Sequence, residues 1–317
     1  MSTKHPGIRK INEDERFFSL PGFRTRCWAN TGIEAEPHYT LNPWGIPKSW
    51  QVTKGVGVKI AILDTGVAPN HDHLRDSFLE VVDFTGISSN ASDGMGHGTF
   101  LAGRIAGKDD QTVVEALAPS AKLMIGKVLD DNGFGSAQWI VEGLKWAIQS
   151  GADIISMGFS GFVTCAPIET LLKKANDKGI LTLCQAGILP SAQEVEDFPA
   201  NSPDVLTIGT LAAVQDIKVP PYHDVDVWVT DHQPIAASPP NGYLKVHAPT
   251  VGLAVVSGIA ALALSKHRQY GGKTQLNNLE DLKQHLNAIA MKPDDVHNKD
   301  YSYALVTSGF YNKDSTE

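Results

Sequence analysis

Cysteine is almost missing from this chain: Cys27, Cys165 and Cys184 are its only three in 317 residues. An odd number, with no CxxC and no metal-like spacing, gives neither a disulfide framework nor a metal site, and reads as free thiols in a reducing compartment. Basic excess is missing as well. The 27 Lys+Arg stand against 35 Asp+Glu, a net charge of −8, and no basic run or cluster of stacking aromatics offers a surface to nucleic acid or to an anionic membrane. No apolar run approaches the roughly 18 residues that a membrane span needs. The stretch 251–265 is apolar but short, and its small residues read as a buried helix. The opening MSTKHPGIRKINEDERFF lacks the apolar segment of a secretory signal. A cytoplasmic chain with no metal and no cofactor is the expectation.

What is present is material for a large core, with 42% hydrophobic and 20% charged residues alongside 29 Gly and 18 Pro. Residues 1–50 are rich in turn-formers and charge and read as a partly irregular extension wrapped on the surface; residues 51–317 read as one domain. From residue 57 the pattern changes. VKIAILD is a continuous apolar run, the mark of a strand buried on both faces of a parallel sheet. EVVDF, KLMIGKVL, DIISMGF, GILTLCQA and DVLTIGTL follow at intervals. Between them lie amphipathic helices: one from Gly98, one opened by a Ser136 cap and stopped at Gly151, and one stopped at Gly179. Strands alternating with helices build a mostly parallel sheet covered on both sides. The region 214–246 reads as loops and short antiparallel strands, LEDLKQHLNAIA as a last amphipathic helix, and the final dozen residues as loosely held.

Two segments carry chemistry. Asp64 ends the first buried strand, and catalytic groups in open α/β sheets gather beyond the carboxyl ends of strands. Alone it would be a turn-capping aspartate. His97 lies between Gly96 and Gly98 at the head of a helix, where glycine on both sides exposes the imidazole. A carboxylate on one ring nitrogen would fix the tautomer and leave the other nitrogen as a general base.

Taken together, GVGVKIAILDTGVAPNHDHL and DGMGHGTFLAGRIAG resemble the aspartate and histidine motifs of the subtilase (subtilisin-like) family of serine proteases. The resemblance runs on through APSAKLMIGKVLDDNGFGS, GADIISMGFSG and GILTLCQAG to VSGIAALAL, covering about residues 55–265 in unbroken order. It implies a subtilisin-like three-layer α/β/α sandwich with a mostly parallel central sheet. It further implies that Asp64 orients His97, that His97 is the base, and that Gly158, Phe159 and Ser160 form the strand edge on which an extended peptide pairs. Ser160 stands where the family has a second glycine, narrowing the entrance to the pocket for the residue before the cut.

Two departures decide the functional expectation. The family's Gly-Thr-Ser-Met-Ala-Ala-Pro stretch reads Ala248-Pro249-Thr250-Val251-Gly252-Leu253-Ala254, which puts Thr250 at the serine position. The family's Ala-Gly-Asn puts Ile188 at the oxyanion-donating side chain. An internal threonine has no terminal amine to activate it, and its γ-methyl crowds the approaching carbonyl. Isoleucine donates nothing to a developing oxyanion. The expectation is a non-proteolytic member of the family that binds a peptide or protein segment in the old cleft. Two alternatives stand beside it: a hydrolase using Thr250 as nucleophile, and a different enzyme using the Asp64–His97 pair as base on an unidentified small molecule. Cys184 reads as core, and nothing places Cys165 near His97. The absence of an evident inhibitory propeptide fits a protein that does not cut. The Asp-rich turns 109–110 and 130–131 read as solvated loops rather than calcium ligands.

Overall fold

The computed structural model describes residues 16–20, 24–25, 46–88, 90–108, 116–161, 164–187, 197–211, 225–230, 234–271, 276–291 and 305–306. Their elements run β1 (Arg16–Ser19), β2 (Arg24–Thr25), α1 (Ile46–Ser49), β3 (Lys59–Asp64), β4 (Phe78–Asp83), α2 (His97–Ala106), β5 (Lys122–Lys127), β6 (Phe134–Ser136), α3 (Ala137–Gln149), β7 (Ile154–Met157) and β8 (Ser160–Gly161). Then come α4 (Ala166–Asp177), β9 (Leu181–Gln185), β10 (Leu206–Leu211), β11 (Val227–Thr230), β12 (Ile235–Ser238), β13 (Gly242–His247), α5 (Thr250–Tyr270), α6 (Leu279–Ile289), β14 (Ala290–Met291) and β15 (Leu305–Val306).

The apolar run around Asp64 is continuous because β3 has a core on each side. Ile60 and Ile62 enter one cluster, with Leu101 of α2 and Val255 and Ile259 of α5. Ala61 and Leu63 enter the other, with Ile140 and Leu144 of α3 and Leu172 of α4. The central sheet between them has the order β14-β15-β11-β10-β9-β7-β3-β5-β4, and only the β14–β15 pair in it is antiparallel. This is the expected three-layer α/β/α sandwich, and its strand order brings the carboxyl ends of β3, β7 and β9 side by side.

Local sequence explains the helix ends. Ser136 Oγ accepts from Trp139 N at 3.2 Å and caps α3, and Gly179, at φ 74°, lets the chain turn out of α4. Helix α2 starts one residue earlier than expected, at His97, after Gly96 in the left-handed region. Helix α5 is 21 residues, long and apolar enough to cross a bilayer, but 89% of its apolar window is buried within the protein. A helix sheathed in this way is the core of the second layer.

Two expectations need correction. Within 214–246, β12 and β13 form the anticipated antiparallel hairpin, but β11 joins the central sheet parallel to β10. Its apolar Val227-Trp228-Val229 core is short and hidden in sequence by flanking polar residues. The N-terminal extension, read from the sequence as partly irregular, carries β1, β2 and α1 among its described residues. Asp130 is buried rather than solvated, and its carboxylate accepts from Asn132 N and Phe134 N at 2.9 Å each. Residues 109–110, Cys27 and the last dozen residues bar Val306 lie outside the described residues.

Candidate active site

Asp64 stands at the C-terminal end of β3, and His97 at the first turn of α2. Close backbone approach joins them: a Cβ on Gly98 would lie 2.1 Å from the Gly66 carbonyl oxygen, so only glycine lets α2 reach the turn after β3. Gly66 itself sits at φ 104°. His97 Nδ1 donates to the Asp64 carboxylate at 2.8 and 2.9 Å. Thr65 N–H also donates to Asp64 Oδ1, at 2.7 Å. With the Nδ1 proton held there, Nε2 is left as an acceptor, and the Thr250 hydroxyl meets it at 2.7 Å. The sequence assigned these three positions from segments far apart in the chain, and the fold brings all three together.

Asp93 holds this arrangement from below. Its Oδ1 accepts from Thr65 Oγ1 at 2.8 Å, Met95 N at 3.1 Å and Gly96 N at 2.7 Å. Its Oδ2 accepts from Thr99 N at 2.8 Å and Thr99 Oγ1 at 2.7 Å. A buried carboxylate thus satisfies the open N–H groups at the head of α2 and ties them to the turn after Asp64. Lys127, fully buried at the end of β5, donates to the Thr65 carbonyl at 2.5 Å and to Asp131 at 2.7 Å, fixing the same turn from the other side.

The third segment is held by Thr210 of β10, whose hydroxyl donates to the Pro249 carbonyl and accepts from Gly252 N. Thr250 is the first residue of α5, so its N–H has no intrahelical acceptor and remains a candidate oxyanion donor. Ser156 of β7 and Ser257 of α5 meet at 3.1 Å and lock the helix to the sheet. Ile188, the residue at the expected oxyanion side chain, lies outside the described residues. Thr250 is completely buried and His97 is 1% exposed.

The three residues expected to form a strand edge lie beside this dyad. Gly158 abuts the dyad: a Cβ there would be 2.8 Å from His97 Cε1 and 2.9 Å from Asp64 Oδ2. Ser160 and Gly161, however, are already paired. Strand β1 runs antiparallel to them, with Phe18 opposite Gly161 and Ser19 opposite Ser160. On its other side β1 pairs with β6, Ser19 opposite Phe134, and Leu20 N–H donates to the Gly133 carbonyl at 3.3 Å. The chain's own residues 16–19 are therefore the middle strand of a three-stranded sheet, β6-β1-β8. Phe18 anchors it, 1% exposed, with its ring 6.0 Å from that of Phe159 and 6.3 Å from that of Phe198. Sequence reasoning missed this occupant; the alternation of Phe18 and Leu20 about Ser19 was the available signal.

This combination of an Asp–His–hydroxyl relay and a strand-accepting edge at the carboxyl ends of parallel strands matches what the comparisons find. The subtilase family model matches residues 55–238. The chain belongs to the subtilase family. It is 31% identical over 251 residues to subtilisin DY of Bacillus licheniformis, covering 75% of this chain and 89% of that protein. It is 30% identical over 230 residues to the major intracellular serine protease of Bacillus subtilis (strain 168), covering 69% and 72%. Against the intracellular serine protease of Paenibacillus polymyxa the identity is 35% over 172 residues, covering 52% and 53%. The family match ends before α5 and Thr250.

Neither described cysteine of this subtilase is a substitute nucleophile. Cys184 and Cys165 both pack in the cluster beneath α3 and α4. Burial pushes the Cys184 thiol well above its ordinary range, and nearby Asp197 adds to the effect. Two further polar groups were not anticipated. Gln185, at the end of β9, is fully buried with neither amide atom hydrogen-bonded. Asp197 donates nothing and accepts from Gly187 N at 2.5 Å.

Proposed function

We propose that this subtilase binds an extended peptide segment in its former active-site cleft and hydrolyses it at close to background rate. The single observation carrying the binding half is β1. An extended segment held by main-chain hydrogen bonds on two flanking edges, with one side chain buried as anchor, is the pattern an external peptide would repeat on displacing it. The low-turnover half rests on Thr250, a fully buried threonine where the family has serine, whose extra methyl restricts its rotamer and adds bulk beside the hydroxyl, and on isoleucine at position 188. In subtilisin itself, losing the oxyanion asparagine costs about 10²–10³ in kcat, and losing the serine costs about 10⁶. Both defects fall on one transition state. We place the chain in the cytoplasm, on its few cysteines and on relatives described as intracellular.

The second reading is a hydrolase in which Thr250 attacks a peptide carbonyl while His97 takes its proton. The 2.7 Å contact between Thr250 Oγ1 and His97 Nε2 favours it. A base acting instead on a small molecule would first have to give up that hydroxyl, which ranks the peptide readings higher. A fluorophosphonate probe tests the choice. Under the proposal, intact protein that binds a labelled peptide shows no phosphonylation of Thr250 by mass spectrometry. Stoichiometric, His97-dependent labelling of Thr250 would sink it.

A further inference from the structure

Asp197 lies where the peptide edge meets the end of β9. The next residue, Phe198, bridges antiparallel to Gly161, with Gly161 N to Phe198 O at 2.7 Å and Phe198 N to Gly161 O at 3.1 Å. Its own carboxylate takes the Gly187 N–H on Oδ2 at 2.5 Å. This carboxylate therefore ties the strand edge of the cleft, through Phe198 and Gly161, to the chain that leaves β9 at Gly187. A Cβ on Gly187 would be 2.5 Å from Asp197 Oδ1 and 2.8 Å from Ser160 Oγ, so the glycine leaves its space to those two oxygens.

Oδ1 is buried and has no hydrogen bond of good geometry; the Ser160 hydroxyl beside it is the one neutral side-chain donor near enough to favour the charged form among the described residues. Among the described residues no ion pair includes Asp197, and the titratable group facing it is the Cys184 thiol, which is no counter-ion. Anchoring Gly187 accounts for Oδ2 alone, and an asparagine would do that at less cost. A buried carboxylate with one open oxygen and no cation is expensive unless something outside the chain completes it. Burial accordingly holds its carboxyl above the ordinary range, with the Gly187 N–H and the nearby Ser160 hydroxyl pulling the other way.

We propose that Asp197 is the specificity-determining residue of the cleft, selecting a peptide whose residue before the former scissile bond is Lys or Arg. A cationic side chain entering between Ser160 and Gly187 meets Oδ1 in a charge-assisted hydrogen bond in a site largely closed to water. The inference rests on the peptide-binding reading and names its substrate class. An uncharged side chain of equal length leaves the carboxylate unpaired, and an acidic one is repelled.

The test uses the full chain and fluorescein-labelled peptides identical but for Lys, Arg, norleucine or Glu at the one position, read by fluorescence anisotropy. Lys and Arg peptides are expected to bind about tenfold or more tighter than norleucine. Asp197→Asn, which can keep an acceptor for the Gly187 N–H, should erase that difference, and Asp197→Lys should favour Glu. Equal binding of Lys and norleucine by the native chain, or a Lys preference that survives Asp197→Asn, overturns the proposal. If no peptide binds, the peptide-binding reading falls, and benzamidine decides the carboxylate separately. A saturable rise in Tm lost in Asp197→Asn supports a cation site there, and no rise overturns it.

Discussion

The hydroxyl of Thr250 lies 2.7 Å from His97 Nε2, while His97 Nδ1 lies 2.8 Å from Asp64 Oδ1. The relay is thus assembled with a threonine at its reactive end. If the γ-methyl is what blocks attack, Thr250→Ser should restore a nucleophile without moving the base. Thr250→Ser with Ile188→Asn should then release peptidase activity, the asparagine alone contributing about 10²–10³ by the subtilisin measure. Hydrolysis of a chromogenic tetrapeptide checks this. A double variant that folds, binds peptide and shows no more cleavage than the parent would remove the threonine as the cause.

Phe18 is the buried anchor of β1, packed edge-on against Phe159. Phe18 also belongs to the core cluster with Phe159 and Phe198, where truncating a buried Phe costs about 3–5 kcal/mol. Phe18→Ala should therefore free the β8 edge while lowering global stability by no more than that amount. External labelled peptide should bind more tightly to the variant, and limited proteolysis near residues 16–25 should accelerate. Unchanged affinity and an unchanged digestion pattern would show that β1 does not compete for the edge.

Legibility in the sequence followed locality. Asp64, His97 and Thr250 each sit in a contiguous segment: apolar runs and glycine spacing marked the strand end and helix starts, and the resemblance of those segments to the subtilase motifs named the three reactive positions. The place of β1 could not be read, because pairing Phe18 with Gly161 joins residues far apart in the chain, and a four-residue strand carries little pattern. Asp197 was hidden for the same reason. Its meaning comes from Ser160, Gly187 and Phe198, which only the fold assembles. Val227–Val229 was obscured by polar neighbours, though the burial of these three residues is that of a core strand.

Asp93 makes five hydrogen bonds, to Thr65, Met95, Gly96 and Thr99, and is 4% exposed. Asp93→Ala leaves those donors buried without an acceptor, and should destabilise the chain by about 3 kcal/mol or more. Asp93→Asn keeps an acceptor but turns an amide N–H₂ toward other donors, and should recover only part of the loss. Urea denaturation measures both. The downfield proton resonance of His97 Nδ1–H should weaken in each variant, because the turn after Asp64 loses its tie to α2. A stability change with that resonance intact would confine Asp93 to holding the helix end.

The pH dependence of Asp197 follows from burial, which raises its carboxyl above the ordinary value. Between the unfolded and the raised folded value, the folded chain holds the proton more tightly, so stability from this residue is present at low pH and lost as pH rises through that window. Asp197→Asn removes the ionisation. The variant should match the native chain below the window and exceed it in stability above, in urea titrations taken from about pH 4 to 8. Cationic ligands run the opposite way. A Lys peptide needs the ionised carboxylate, so its affinity should climb across the same window, while the norleucine peptide, which leaves that charge unpaired, should show no such rise. The Cys184 thiol, pushed upward by its own burial, remains protonated throughout and adds no second step. Parallel pH profiles for the two peptides, or a stability gain from Asp197→Asn that does not change with pH, would show that this carboxylate is not ionising in the cleft.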